Sequence, residues 1–141
     1  MMANQSTSLQ TRTHRPDSTK ALLGIIKSLE AAKQKYIFYS GGTDIVPWLK
    51  NHEVSPQNII FLGNITSPEM KAITTKSDTL AVGALNTLDE ITKSPSILQN
   101  FSALSAAANL IASPQIRNKA TIGGNILVDN RCIFYNQSSF N

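Results

Sequence analysis

Apolar residues recur at helical spacing early in the chain and then give way to short unbroken runs. Leu22, Ile26 and Leu29 fall three and four residues apart, joined by Leu23 and Ile25, with Lys20, Lys27 and Glu30 on the opposite side. This period predicts an amphipathic helix. Asp17 or Ser18 stands where a side-chain oxygen can accept bonds from the helix's first, unpaired amides. Lys33 and Lys35 sit near its end, where cations complement the helix dipole. Residues 12–15 alternate loosely and predict a short strand before Pro16. Tyr36-Ile37-Phe38-Tyr39 is a run of strand formers and predicts a buried strand. It ends at Ser40-Gly41-Gly42-Thr43. A short helix starting at Thr43 or Asp44 then carries Ile45, Val46, Trp48 and Leu49, with Pro47 tolerated in its first turn. Residues 58–62 complete a strand–helix–strand–helix–strand order, which implies a small parallel sheet with right-handed connections.

The pattern changes after residue 62. Residues 71–75 and 79–84 read as two strands around the turn Lys76-Ser77-Asp78. Residues 88–92 and 97–113 read as helices, the second with Leu104, Ala107, Ala108 and Ile111 as an apolar stripe and Pro114 as its stop. Residues 115–128 hold Ile116, Ile122, Ile126 and Leu127 around a Gly-Gly pair and read as strand and turn. The expected division is a flexible N-terminus over 1–13, a small α/β unit over 14–57 and a second unit over 58–141.

Composition narrows the classes. The 141 residues are 41% hydrophobic and 16% charged, enough apolar content for a core. The net charge of +4 is spread along the chain without a basic stripe, which argues against nucleic-acid binding and still suits an anionic small ligand. The single cysteine excludes an internal disulfide and fits a reducing, cytoplasmic setting. No apolar run approaches the roughly 20 residues of a membrane span. The polar first thirteen residues lack the apolar stretch of a secretory signal.

Candidate chemistry lies in two loops, Ser40-Gly41-Gly42-Thr43-Asp44 and Thr121-Ile122-Gly123-Gly124-Asn125. The first leaves a strand and enters a helix. There, glycine lets backbone amides converge on an anion such as a pyrophosphate. The Ser40 and Thr43 hydroxyls can add bonds, and Asp44 is better suited to capping the helix than to touching a phosphate. A Gly-Gly pair after a strand also serves as a plain tight turn, its commoner use. Neither loop has the spacing of the dinucleotide fingerprint or of the P-loop.

Taken together, SGGTDIVPWLK and SPQIRNKATIGGNI resemble the two flavin loops of the FAD-binding domain of molybdenum hydroxylases, the family of xanthine dehydrogenases and carbon monoxide dehydrogenases. NIIFLGNITSPEMKAITT and TLAVGALNTLDEI match the strand and β-turn-β element between them. The similarity runs from about Arg15 to the last residue. It implies an α+β, PCMH-type fold in which a small parallel α/β subdomain is followed by a mixed α+β subdomain, here incomplete, with FAD between the two. On that resemblance Ser40, Gly41, Gly42, Thr43 and Asp44 hold the pyrophosphate, and Thr121, Ile122, Gly123, Gly124 and Asn125 complete the pocket. Asp129 either bonds a flavin hydroxyl or closes a turn with Asn130. The implied role is that of an electron-transfer subunit, partnered by a molybdopterin-binding catalytic subunit and a [2Fe–2S] subunit, with no catalytic residue of its own. The tail, NILVDNRCIFYNQSSFN, resembles the start of an insertion in 4-hydroxybenzoyl-CoA reductase flavin subunits that carries a [4Fe–4S] cluster. That likeness makes Cys132 a candidate ligand, although a cubane takes four thiolates and a lone cysteine is ordinarily a small buried thiol. Family subunits run to about twice this length, so a truncated remnant or interaction module without FAD is the alternative.

Other residues carry weaker readings. Arg117 either reaches a flavin phosphate or fixes loop geometry by bonding carbonyls. Trp48 reads as core rather than as a stacking platform. His14 and His52 lie in polar surroundings without a partner at metal-ligand spacing and read as solvated. No serine has a histidine placed by motif, so no nucleophile–base pair is expected.

Overall fold

In the computed structural model, residues 11–51 and 53–128 are described. Three short parallel strands form the first sheet: β1 (Arg12–His14), β2 (Tyr36–Tyr39) and β3 (Asn58–Phe61). Their order is β1-β3-β2, so the last strand in sequence occupies the centre. The register pairs Arg12 and Tyr36 with Asn58, and His14 and Phe38 with Ile60. A parallel sheet was expected from the alternation of elements, and the central placement of β3 explains its composition. Ile60 is fully buried, and Asn58 is buried beside it at 3% exposure. A buried amide must find partners. His14 Nε2 lies 3.0 Å from Asn58 Oδ1, while the Asn58 amide donates to the Lys35 carbonyl at 3.1 Å and to Gln34 Oε1 at 3.4 Å. His14 is therefore half-buried and bonded rather than solvated. The strand that opens the second expected unit is thus the middle of the first sheet.

β2 is an edge strand and not the buried one its composition predicts. Phe38 is 48% exposed, because only one neighbour covers β2. Helix α1 (Thr19–Ala31) crosses from β1 to β2 and is capped by Ser18, whose Oγ accepts from the Ala21 amide at 3.3 Å. Leu22 and Leu29 bury their side chains against Ile60, Ile65 and Leu85, with Ile25 and Ile26 partly covered beside them, and Leu23 points to solvent. Lys33 does not act on the helix dipole from the last turn. It takes φ 51° beyond the helix end, where its amide bonds the Glu30 carbonyl and the next amide bonds the Leu29 carbonyl.

α2 (Ile45–Lys50) links β2 to β3 with Asp44 at its N-cap position. A 3-10 turn at Pro68–Met70 leads to the antiparallel hairpin β4 (Ile73–Lys76) and β5 (Thr79–Val82), turned by Ser77 and Asp78. Ser77 supplies the positive φ, 50°, that a two-residue hairpin loop needs. Short helices follow: α3 (Leu88–Lys93), α4 (Pro95–Asn100), α5 (Ser102–Asn109), α6 (Pro114–Arg117) and α7 (Ile122–Ile126). The single helix expected over 97–113 is broken at Phe101, which has φ −140° and ψ 45°. The break packs α5 back on α3, so that Leu88, Ile91, Ile97, Ala108 and Ala120 form a second core cluster. Pro114 opens α6 rather than only ending its predecessor, its missing amide costing nothing at a first helical position.

The stretch 115–128, expected as strand and turn, holds the end of α6 and all of α7, joined by a turn and the bridged Thr121, and contains no strand. Thr121 caps α7 by accepting from the Gly124 amide at 3.3 Å, so the Gly-Gly pair lies inside a helical turn. The reason is tertiary. The Ile122 amide donates to the Asn86 carbonyl, the Gly123 amide to the Ala84 carbonyl and the Leu88 amide to the Ala120 carbonyl, at 2.8, 2.9 and 2.9 Å. With the bridge between Thr87 and Thr121, these bonds lash residues 84–88 to 120–123. No helix among the described residues is long and apolar enough to cross a membrane.

Candidate functional site

The two glycine loops meet. A β-carbon built on Gly41 would overlap the Lys119 carbonyl oxygen, so the first loop rests directly on the backbone that enters the second. Gly42 has φ 77° and packs on the Tyr39 ring, a position that a side chain would both strain and fill. Gly123 lies so near Ala84 that a β-carbon would come within 2.9 Å of its carbonyl oxygen and its methyl group. These glycines are demanded by the chain's own packing, and that packing brings two stretches of backbone to one cleft.

The cleft encloses about 650 Å³, within the size range of small-molecule and cofactor pockets. Ser40, Gly41, Gly42, Thr43 and Asp44 line one side; Thr121, Gly123, Gly124 and Asn125 line the other. Ile122 is the exception among the expected residues: its side chain packs against the second core cluster. Asp129, Cys132 and His52 lie outside the described residues. Apolar walls come from Ile37, Phe38, Trp48, Val54 and Leu62 on the sheet side and from Ile111, Ile116 and Leu127 opposite. Trp48 is thus part of the cavity wall and not of either buried cluster. Ile111, Ala112 and Ile116 were not singled out as wall residues, because nothing in their local pattern separates a cavity wall from a core stripe.

The two loops offer different chemistry. The Gly41 and Gly42 amides carry no hydrogen bond to the described residues, which leaves them as donors for an anion. In the second loop the Gly123 and Gly124 amides are already bonded, to the Ala84 carbonyl and to Thr121 Oγ1. That loop presents close backbone and the Asn125 side chain, not an amide cradle. Thr43 Oγ1 donates to Asp44 Oδ2 at 3.1 Å, and Asp44 makes no side-chain cap bond. The Asp44 carboxylate therefore secures Thr43 instead of capping α2 as expected. Amide donors at one loop suit an anionic group, and the apolar walls around the cleft suit an apolar one.

The model of the family described as "FAD binding domain in molybdopterin dehydrogenase" matches residues 8–135, and the chain belongs to that family. It is 30% identical over 113 residues to the carbon monoxide dehydrogenase medium chain of Hydrogenophaga pseudoflava, covering 80% of this chain and 38% of that one. It is 39% identical over 88 residues to a putative xanthine dehydrogenase FAD-binding subunit of Escherichia coli (strain K12), covering 62% and 30%. A solved structure of carbon monoxide dehydrogenase from Hydrogenophaga pseudoflava superposes with a TM-score of 0.73 at 29% identity, covering 82% of this chain and 39% of that one. The chain thus spans well under half the length of these relatives. The shared architecture is the α+β, PCMH-type FAD-binding fold.

Proposed function

We propose that this chain holds FAD in the cleft between its two glycine loops and serves as the flavin-binding part of an electron-transfer subunit in a molybdenum-dependent hydroxylase or dehydrogenase. The observation that supports the reading is the seating of Gly41 on the Lys119 carbonyl, which places both loops on one cavity in a member of an FAD-binding family. FAD, when bound, supplies an isoalloxazine ring that accepts and returns electrons.

The chain's own part is binding, orientation and exclusion of water. The Gly41 and Gly42 amides and the Ser40 hydroxyl donate to the diphosphate, and the Thr43–Asp44 bond fixes the loop that presents them. Thr121, Gly123, Gly124 and Asn125 close the opposite side, with Asn125 supplying an amide that can both donate and accept. Phe38 and Trp48 cover ring surface and keep water out. No residue here need act as acid, base or nucleophile, since substrate chemistry belongs to a molybdopterin-binding partner, with a [2Fe–2S] subunit as the electron relay. Relatives named as medium chains and FAD subunits of such enzymes support an assembly of this kind.

The test is flavin retention. The full chain, purified after loading with FAD and desalted, is expected to carry about one flavin per chain, with a visible circular-dichroism signal that free FAD lacks. Complete loss of flavin on desalting, from protein shown to be folded, would overturn the reading in favour of an interaction module.

A further inference from the structure

Arg117 lies in α6, just before the second glycine loop, yet it is not part of the cavity wall; Ile111, Ala112 and Ile116 form that stretch. Its Nη1 donates to the Ile111 carbonyl at 2.9 Å and to the Ala112 carbonyl at 3.0 Å. Ala112 has φ 45°, a left-handed conformation that a β-carbon disfavours. A single cationic nitrogen bonded to both carbonyls fixes two successive peptide planes of that turn, and charge-assisted bonds are the stronger kind. Ser113 caps α6, and the helix delivers Lys119, whose carbonyl meets Gly41, and Ala120, whose carbonyl takes the Leu88 amide.

We infer that Arg117 is a positioning residue of the pocket: it clamps the Ile111 and Ala112 carbonyls, holds the left-handed turn, and thereby sets the wall and the Lys119 carbonyl on which the first glycine loop rests. Its effect on FAD rests on the function proposed above; the clamp itself does not. The geometry favours this role over direct contact with a phosphate, because Nη1 is engaged by two backbone carbonyls and Arg117 itself does not line the cavity.

The test compares Arg117→Ala, Arg117→Lys, Ala112→Gly and the double variant Arg117→Ala with Ala112→Gly, all in the full chain. Two quantities are read: hydrogen exchange at the Lys119 and Ala120 amides, and FAD affinity from flavin fluorescence. Arg117→Ala should speed exchange at both amides and weaken FAD binding by about tenfold or more, the equivalent of one charge-assisted bond. Arg117→Lys should recover part of both. Glycine at 112 adopts the left-handed turn without a clamp, so the double variant should recover most of both effects, and it also serves if Arg117→Ala alone does not fold. Unchanged exchange in Arg117→Ala overturns the clamp whether or not FAD binds. A loss of affinity that Ala112→Gly leaves unrescued overturns it in favour of a direct phosphate contact. Failure of the unmodified chain to bind FAD counts against the proposed function alone, and exchange then decides the clamp.

Discussion

Gly41 faces the Lys119 carbonyl oxygen so closely that no β-carbon fits between them. The contact joins a loop leaving the parallel sheet to the backbone entering α7. Gly41→Ala must push the two loops apart, and overpacking of this kind costs about 1–3 kcal/mol. We expect FAD affinity to fall by at least tenfold, measured by flavin fluorescence titration, with the far-ultraviolet circular dichroism retained. Unchanged affinity would show that the meeting of the loops does not shape the site.

Gly24 offers the contrast. It lies within α1, and a β-carbon there meets nothing within 4 Å. Gly24→Ala should stabilise the protein by about 0.5–1 kcal/mol, because glycine in a helix interior carries an entropic penalty that alanine lacks. Thermal unfolding should show a higher midpoint and FAD titration no change.

Thr87 and Glu90 form a reciprocal cap at the start of α3: the Glu90 amide donates to Thr87 Oγ1 at 3.1 Å, and the Thr87 amide donates to Glu90 Oε2 at 2.7 Å. Thr87→Ala removes the hydroxyl half and should cost about 1 kcal/mol. Urea titration would reveal it as a lower midpoint at unchanged slope.

Ile60 and Ile91 are both fully buried, in different clusters. Alanine at either should cost about 2–5 kcal/mol, the sum of lost transfer energy and a residual cavity. If the clusters unfold together, both variants will show one transition, lowered by similar amounts. A second transition in the Ile91→Ala melt would mark the helical part as an independent unit.

The hydroxyl of Thr19 donates to Glu69 Oε1 at 2.7 Å, tying the start of α1 to the 3-10 turn. That bond, with a smaller backbone contribution, holds the Glu69 carboxyl below the usual glutamate range, against a slight opposing desolvation. A carboxylate whose folded pKa is depressed lends stability above its unfolded pKa and loses it as pH falls through the folded one. Thr19→Val should therefore narrow the stability difference between neutral and acidic pH. Acid titration of Glu69 by carboxyl NMR should move upward in the variant; no movement would mean the bond does not form in solution.

Much of this arrangement is legible in the residues. The apolar period of α1, its Ser18 cap, the run of β2, the hairpin turn and both glycine loops are local signals, each settled within a few neighbouring positions. The resemblance of the two loops to flavin loops also rests on local strings, which is why the family could be read before any fold.

Other features needed partners distant in the chain. Nothing near Phe38 says that β3 will take the centre of the sheet and leave β2 at the edge, with that ring facing the cleft. Ile122-Gly123-Gly124 reads as a turn until the Asn86 and Ala84 carbonyls claim its amides and fold it into α7. Arg117 is ambiguous until the left-handed turn at Ala112 gives its guanidinium two carbonyls to hold. The sequence by itself determined α1 and its Ser18 cap, the run of β2, the hairpin turn and the glycines of both loops, because those depend on backbone and side-chain choices a turn or less apart. Only the tertiary structure decided which strand lies in the middle, which amides stay open for an anion and that the two loops share one cavity, because each follows from long-range hydrogen bonds and packing that no local pattern contains.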